Sequence, residues 1–141
     1  MSSTRRLARF DPAAMVVRGH MCHTILIVDD SPLIRNTFRA QIDTYPEWEV
    51  CGEAGNGREG IEKAQQLRPD VIVLDLSMPV MNGMEAATTL RRVMPRVPII
   101  MFSEYSGLLS EAEARSAGIS ALVSKTDKIS VLLRKARALL Q

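Results

Sequence analysis

Two short apolar runs, Ile25-Leu26-Ile27-Val28 and Val71-Ile72-Val73-Leu74, each end directly on a carboxylate. No polar residue interrupts either run, so neither strand keeps a solvent face. Such runs suit strands covered on both sides, as in a parallel sheet packed between helices. The second run is preceded by Arg68-Pro69-Asp70 and followed by Met78-Pro79 and Asn82-Gly83, which stop the strand and turn the chain towards a helix. In an open parallel sheet, ligands bind beyond the carboxyl ends of the strands. Asp75 therefore falls where chemistry is expected, and Asp29-Asp30 ends the other run. With the two strands as parallel neighbours, three carboxylates converge at one sheet edge. Two unit charges about 4 Å apart repel by roughly 4 kcal/mol at an effective dielectric near 20. A folded chain tolerates that only with a counter-charge. A hard divalent cation held through oxygen is the natural one, and Mg²⁺ accepts few carboxylates plus water.

The rest of the chain alternates strand and helix patterns. A strand over 24–28 leads to Ser31-Pro32, a helix cap followed by a proline suited to the first turn. Ile34, Phe38 and Ile42 then recur every four residues and define a core face, and the helix ends near Tyr45-Pro46. Residues 48–54 alternate loosely and read as an edge strand. Asn56-Gly57 turns into a second helix with Ile61, Ala64 and Leu67 as its buried stripe. The third helix, 84–94, turns Ala87, Leu90 and Met94 inward and is ended by Pro95. A fourth strand, 98–102, ends at Ser103. Ser110-x-x-Glu113 is a capping box for a short helix that offers mainly Ala112 and Ala114 for burial and closes at Gly118. A last strand, 121–124, precedes Lys125, and a helix fills 127–141, with Val131, Leu132, Lys135 and Leu139 marking one buried and one charged flank. This alternation implies a parallel sheet with right-handed crossovers.

Composition excludes several classes. At 141 residues one domain is expected, and no apolar run approaches the roughly 18 residues of a membrane span. Residues 1–22 hold Arg5, Arg6, Arg9 and Arg18 against Asp11, while the remaining 119 residues carry 14 basic and 15 acidic side chains. The globular part is thus not basic, and no nucleic-acid partner is expected for it. Residues 1–22 lack apolar periodicity and read as a disordered N-terminal extension. His20, Cys22 and His23 fit no standard zinc spacing. Only Cys22 and Cys51 are present; this scarcity fits a reducing cytoplasm, and Cys51 reads as a small core hydrophobe.

The stretch Asp75-Leu76-Ser77-Met78-Pro79-Val80-Met81-Asn82-Gly83, with Asp29-Asp30 upstream and Ser103 and Lys125 downstream, resembles the receiver domain of two-component response regulators, single-domain chemotaxis regulators in particular. The resemblance implies a flavodoxin-like, doubly wound α/β fold, with a five-stranded parallel sheet of order 2-1-3-4-5, five helices and a receiver domain over 23–141. It implies a phosphoacceptor switch that takes a phosphoryl group from a histidine kinase phosphohistidine onto Asp75. It further implies Mg²⁺ (or Mn²⁺) bound by Asp30, Asp75 and the Ser77 backbone carbonyl, with Asp29 acting through water. Ser103 would be the switch hydroxyl and Lys125 the phosphoryl counter-charge. The partners implied are a sensor histidine kinase or phosphotransfer protein and a downstream protein met through the face of helix 4, strand 5 and helix 5. No membrane is implied, and the state is a monomer or a phosphorylation-dependent dimer. Enzymatic activity is confined to self-catalysed phosphorylation and autodephosphorylation.

Three positions depart from the family pattern. Leu122 stands where an aromatic switch ring is usual, Glu104 where a small residue is common, and Thr126 where proline is common. The weakly anchored segment 104–118 is therefore the expected responder, with Tyr105 as a partial substitute for the ring.

Other readings are a receiver-like interaction module that works without phosphorylation, or a receiver fragment of a longer DNA-binding regulator. A haloacid-dehalogenase-like phosphatase needs a second Asp two positions after the first, where Ser77 stands. A flavodoxin-like flavin binder needs a phosphate loop where anionic Asp29-Asp30 stands.

Overall fold

The computed structural model describes residues 22–103 and 110–141. Expectations for the extension up to residue 21, and for Glu104 and Tyr105 within 104–109, fall outside the described residues. Five strands, β1 (His23–Val28), β2 (Trp48–Ala54), β3 (Val71–Asp75), β4 (Ile99–Ser103) and β5 (Ala121–Ser124), alternate with five helices. These are α1 (Pro32–Ile42), α2 (Gly57–Leu67), α3 (Gly83–Val93), α4 (Glu111–Ser116) and α5 (Ile129–Leu139). All strand pairs are parallel, in the order β2-β1-β3-β4-β5. That is the expected topology, with β2 at an edge.

The uninterrupted apolar runs behave as their composition requires. Ile25 to Val28 and Val71 to Leu74 are fully buried, each side chain stabilising by about 1.5–3 kcal/mol relative to exposure. Alternate residues feed two cores. Ile25, Ile27, Val71, Val73, Ile100 and Phe102 meet Ile42 of α1 and Leu132, Leu133 and Ala136 of α5. Leu26, Val28, Ile72, Leu74 and Met101 meet Ala64 of α2, Ala87 and Leu90 of α3, and Ala114 of α4. Helices thus cover both faces of the sheet.

The loose alternation of β2 has a physical cause. Val50 pairs with Ile25, but Gly52 pairs with the next residue, Leu26, so Cys51 is an extra residue in the ladder. A bulge of this kind reverses which face the following residues take. Trp48 and Val50 accordingly join one core and Ala54 the other. Cys51 is partly buried against the α2 side, its Sγ 3.5 Å from the Ile25 carbonyl, and burial pushes its thiol up to about 11.

Helix ends follow the local chemistry. Ser31 caps α1, with Pro32 in its first turn, and Asn56 caps α2. Capping boxes open α3 (Asn82 with Glu85) and α4 (Ser110 with Glu113); each side-chain cap contributes about 1 kcal/mol. Two expected core positions are corrected. Leu67 is exposed, because the last turn of α2 overhangs edge strand β2, where its Cδ1 lies over Gly52. Ala112 is also exposed. The six-residue α4 turns Ala114 inward, and a residue two positions away lies on the other side of a helix. Its anchor is completed by Ile119, buried just beyond it. Leu133 and Ala136 carry more of the α5 contact than the expected Val131 and Leu139, which are only partly buried.

Candidate functional site

The register fixes the site. Val28 pairs with Leu74, so Asp29 and Asp75 leave adjacent strands side by side. Asp75 pairs with Phe102, which places Ser103 one residue beyond it, and Ser103 pairs with Ser124. The Lys125 N–H donates to the Ser103 carbonyl at 2.8 Å, holding the start of the β5–α5 turn against the end of β4. Asp29, Asp30, Asp75, Ser103 and Lys125 therefore come together at one sheet edge.

Carboxylate oxygens of Asp29, Asp30 and Asp75 all lie within 4.8 Å of one another. Asp29 and Asp75 are buried, and Asp30 is exposed at the rim. Lys125 Nζ sits 3.2 Å from Asp29 Oδ2 and 3.3 Å from Asp75 Oδ1, and 5.1 Å from the centre of the Phe102 ring. Burial alone would lower the Lys125 ammonium; Asp29 and then Asp75 overrule it and raise it. Burial and the neighbouring Asp29 charge raise the Asp75 carboxyl above its ordinary value, against the pull of Lys125 and the Ser77 N–H. The lysine lies near both carboxylates, but Asp29 competes for it, so Asp75 stays the destabilised anion.

Among the described residues, three carboxylates against one ammonium leave a net negative charge in the cluster. Asp29 Oδ2 is fully buried and, beyond the Lys125 ion pair, receives no directed hydrogen bond. A buried oxygen held by one ion pair alone, beside this charge excess, is what a hard divalent cation corrects. The residues present fit Mg²⁺.

The loop after β3 closes around Asp75. Ser77 N–H donates to Asp75 Oδ1 at 3.3 Å. Met81 N–H donates to the Pro79 carbonyl at 2.7 Å across Val80, whose φ is 68°. This is a γ-turn of the positive-φ hand, a strained conformation for a β-branched residue. Gly83 lies against the Asp75 carbonyl and Leu76 Cα, where any Cβ would collide with backbone.

Arg35 was not visible from sequence as a site residue. Arg35 donates from Nη1 to the Asp29 carbonyl at 2.6 Å and from Nε to Glu53 Oε1 at 3.0 Å. No periodicity signals such a contact. The Asn82–Glu85 capping box, by contrast, is legible as Asn-x-x-Glu.

A doubly wound parallel sheet with a carboxylate cluster and a lysine beyond its strand ends defines a class of α/β proteins whose ligands bind outside the carboxyl ends of the strands. Within that class the chain belongs to the response regulator receiver domain family, whose model matches residues 25–137. It is therefore a receiver domain of two-component signalling with the flavodoxin-like fold. The response regulator domain of Thermotoga maritima CheB superposes with a TM-score of 0.77 at 32% identity, covering 84% of this chain and 96% of that one. Vibrio cholerae chemotaxis protein CheY4 gives 0.75 at 31% identity, covering 84% and 99%. Among curated proteins, the protein-glutamate methylesterase/protein-glutamine glutaminase of Alkalilimnicola ehrlichii is 42% identical over 102 residues, 71% of this chain and 26% of that protein. The protein of the same name from Pyrococcus abyssi is 39% identical over 114 residues, 79% and 31%. The chain thus spans about a quarter to a third of the length of these curated relatives. Receiver domains interact with histidine kinases or phosphotransfer proteins. Among the described residues no helix is long and apolar enough to cross a membrane.

Proposed function

We propose that this receiver is a phosphoacceptor switch in a two-component phosphorelay, formed by residues 23–141 with 1–22 as an extension to it. An Asp75 carboxylate oxygen attacks the phosphorus of a phosphohistidine on a sensor histidine kinase or phosphotransfer protein. The P–N bond breaks, its electron pair stays on the imidazole, and an acyl phosphate forms on Asp75. Hydrolysis of that acyl phosphate resets the switch, and the chain's catalysis is limited to these two steps. The observation that carries the reading is the position of Lys125 Nζ, within 3.3 Å of both Asp29 and Asp75 in the three-carboxylate cluster.

Each residue has a role in this reading. Burial and the Asp29 charge raise the Asp75 carboxyl, which makes its anion a more basic nucleophile; the acyl phosphate it forms is a mixed anhydride of greater negative charge, which Lys125 and a bound cation would offset. Lys125 is a flexible point charge able to follow the phosphoryl oxygens. Asp30, Asp75 and the Ser77 carbonyl would hold Mg²⁺ or Mn²⁺, with Asp29 acting through water. When bound, the cation supplies charge neutralisation between two anions that otherwise repel. Ser103 hydrogen-bonds the arriving phosphoryl group and biases the loop and helix after it, so that the face of α4, β5 and α5 reports the state to a downstream protein. That output meets no nucleic acid directly, and the working state is a cytoplasmic monomer or a phosphorylation-dependent dimer.

Incubation with acetyl phosphate and Mg²⁺ is expected to add the mass of one phosphoryl group. An Asp75→Asn protein that gains the same mass overturns the assignment. The identity to two methylesterase-named relatives favours a second, more specific reading, in which this switch governs a protein-glutamate methylesterase. Its test is whether phosphorylation of this chain changes the activity of such an esterase.

A further inference from the structure

Arg35 is tied to the site from a distance, and the tie depends on the β2 bulge. The extra residue Cys51 puts Glu53 opposite Ile27, on the sheet face that α1 covers. There Glu53 Oε1 accepts from Arg35 Nε at 3.0 Å and Oε2 from Arg39 Nε at 2.6 Å, while the Glu53 carbonyl accepts from Lys63 Nζ at 2.6 Å. Glu53 is thus fixed from three sides. Arg35, seated on it, spends its Nη1 on the carbonyl of Asp29 at 2.6 Å.

That carbonyl belongs to the peptide plane immediately before Asp30. The plane immediately after Asp30 is held as well, because the Ser31 N–H donates to Asp29 Oδ1 at 2.7 Å. Asp29 itself is anchored by its N–H to the Ala54 carbonyl at 3.0 Å. Peptide planes are rigid, so fixing both planes that flank one Cα fixes the direction of its Cα–Cβ bond and narrows where the carboxylate can reach. Asp30 is exposed and has little packing to orient it. We infer that Arg35, seated by Glu53, is a positioning residue that sets the Asp29–Asp30 peptide so that the Asp30 carboxylate faces Asp75 for cation binding. This rests on the reading of the cluster as a divalent-cation site.

The arrangement separates Arg35 from its neighbour. Arg39 pairs with the same Glu53 but has no contact with Asp29 among those the structure shows. Replacing either arginine removes one ion pair of similar burial, and only Arg35 reaches the acidic loop. Removing a group that orients a metal ligand typically weakens metal binding by about 10–100-fold.

The test is Mg²⁺ titration of the unphosphorylated full chain by calorimetry, with Trp48 fluorescence and circular dichroism reporting folding. Arg35→Met is expected to weaken Mg²⁺ roughly tenfold and Arg39→Met to leave it unchanged. Arg35→Lys should fall between wild type and Arg35→Met, since a compact ammonium lacks the planar fork that aims one N–H at Glu53 and another at the Asp29 carbonyl. At saturating Mg²⁺ the rate of phosphorylation by acetyl phosphate should recover in both Arg35 variants, because binding and not the chemical step is affected. If Arg35→Met fails to fold, Arg35→Lys decides. Wild-type affinity in the folded Arg35 variants, or equal losses in Arg35 and Arg39 variants, overturns the positioning role while the cation site stands. A wild-type chain that binds no Mg²⁺ overturns the cation site and this role with it.

Discussion

At the scale of single residues, the site is built from groups whose burial makes them costly. Asp29 is fully buried with two oxygens to satisfy; Ser77 and Lys125 serve Asp75, while Ser31 and Lys125 serve Asp29. Asp30 stays exposed, as a residue that exchanges water for a cation requires. Asp30→Ala is therefore expected to weaken Mg²⁺ binding more than Asp29→Ala, measured by titration of the two folded variants; the reverse order contradicts direct ligation by Asp30. Gly83 is a second residue-scale constraint. A methyl there meets the Asp75 carbonyl and Leu76 Cα, both backbone and unable to yield cheaply. Gly83→Ala should cost about 1–3 kcal/mol in chemical denaturation, the usual range for overpacking, and should displace the strand end that carries Asp75. A neutral result would mean that the β3–α3 loop relaxes freely.

At the scale of elements, α1 is moored to β2 by charge as well as by packing. Burial would raise the Glu53 carboxyl, but Arg39 and then Arg35 hold it below its ordinary value of 4.5. A lowered folded-state value means that the unfolded chain takes up the proton first on acidification. Glu53 thus contributes stability that is present above about pH 4.5 and lost as pH falls through the lower folded value. Wild-type stability should fall across that window, and Glu53→Gln, less stable at neutral pH, should fall less steeply. Parallel pH profiles of the two proteins would show that the pair contributes nothing net. The α4–β5 contact is weaker in kind. One buried alanine and Ile119 anchor α4, and a cavity of about 160 Å³ lies against Ala114, Ile119 and Leu122. Lys135 Nζ from α5 meets the Leu122 carbonyl at 2.8 Å, joining β5 to the last helix.

At the scale of the molecule, these differences divide the fold. The β1–β3 centre is uniformly buried, with α1, α2 and α3 pressed on its two faces, whereas the β5 edge carries a short helix and partly buried Ala121 and Leu122. Poorly anchored segments open at low free-energy cost and respond to small biases. Beryllofluoride, a phosphoryl mimic, should alter amide exchange mainly across 110–118, α4 included, and much less in β1 and β3. Uniform protection, or changes confined to α1, would place the output elsewhere.

The sequence by itself determined the strand centres, because Ile25 to Val28 and Val71 to Leu74 have no polar residue to offer solvent. It determined the helix starts, because Ser31, Asn56, Asn82 and Ser110 each hold an oxygen three residues ahead of an unpaired N–H. It also placed Asp29, Asp30, Asp75, Ser103 and Lys125 at strand ends, since position along a strand is a local property. Tertiary structure alone decided the exposure of Leu67, which depends on where a sheet edge lies relative to a helix. It alone decided the reversal at Cys51, because a bulge is defined only against the partner strand. That reversal turns Glu53 towards α1 and gives Arg35 its seat, and the seat joins residues 18 apart in the chain. Such a bond is specified by pairing register, which no local pattern of residues encodes.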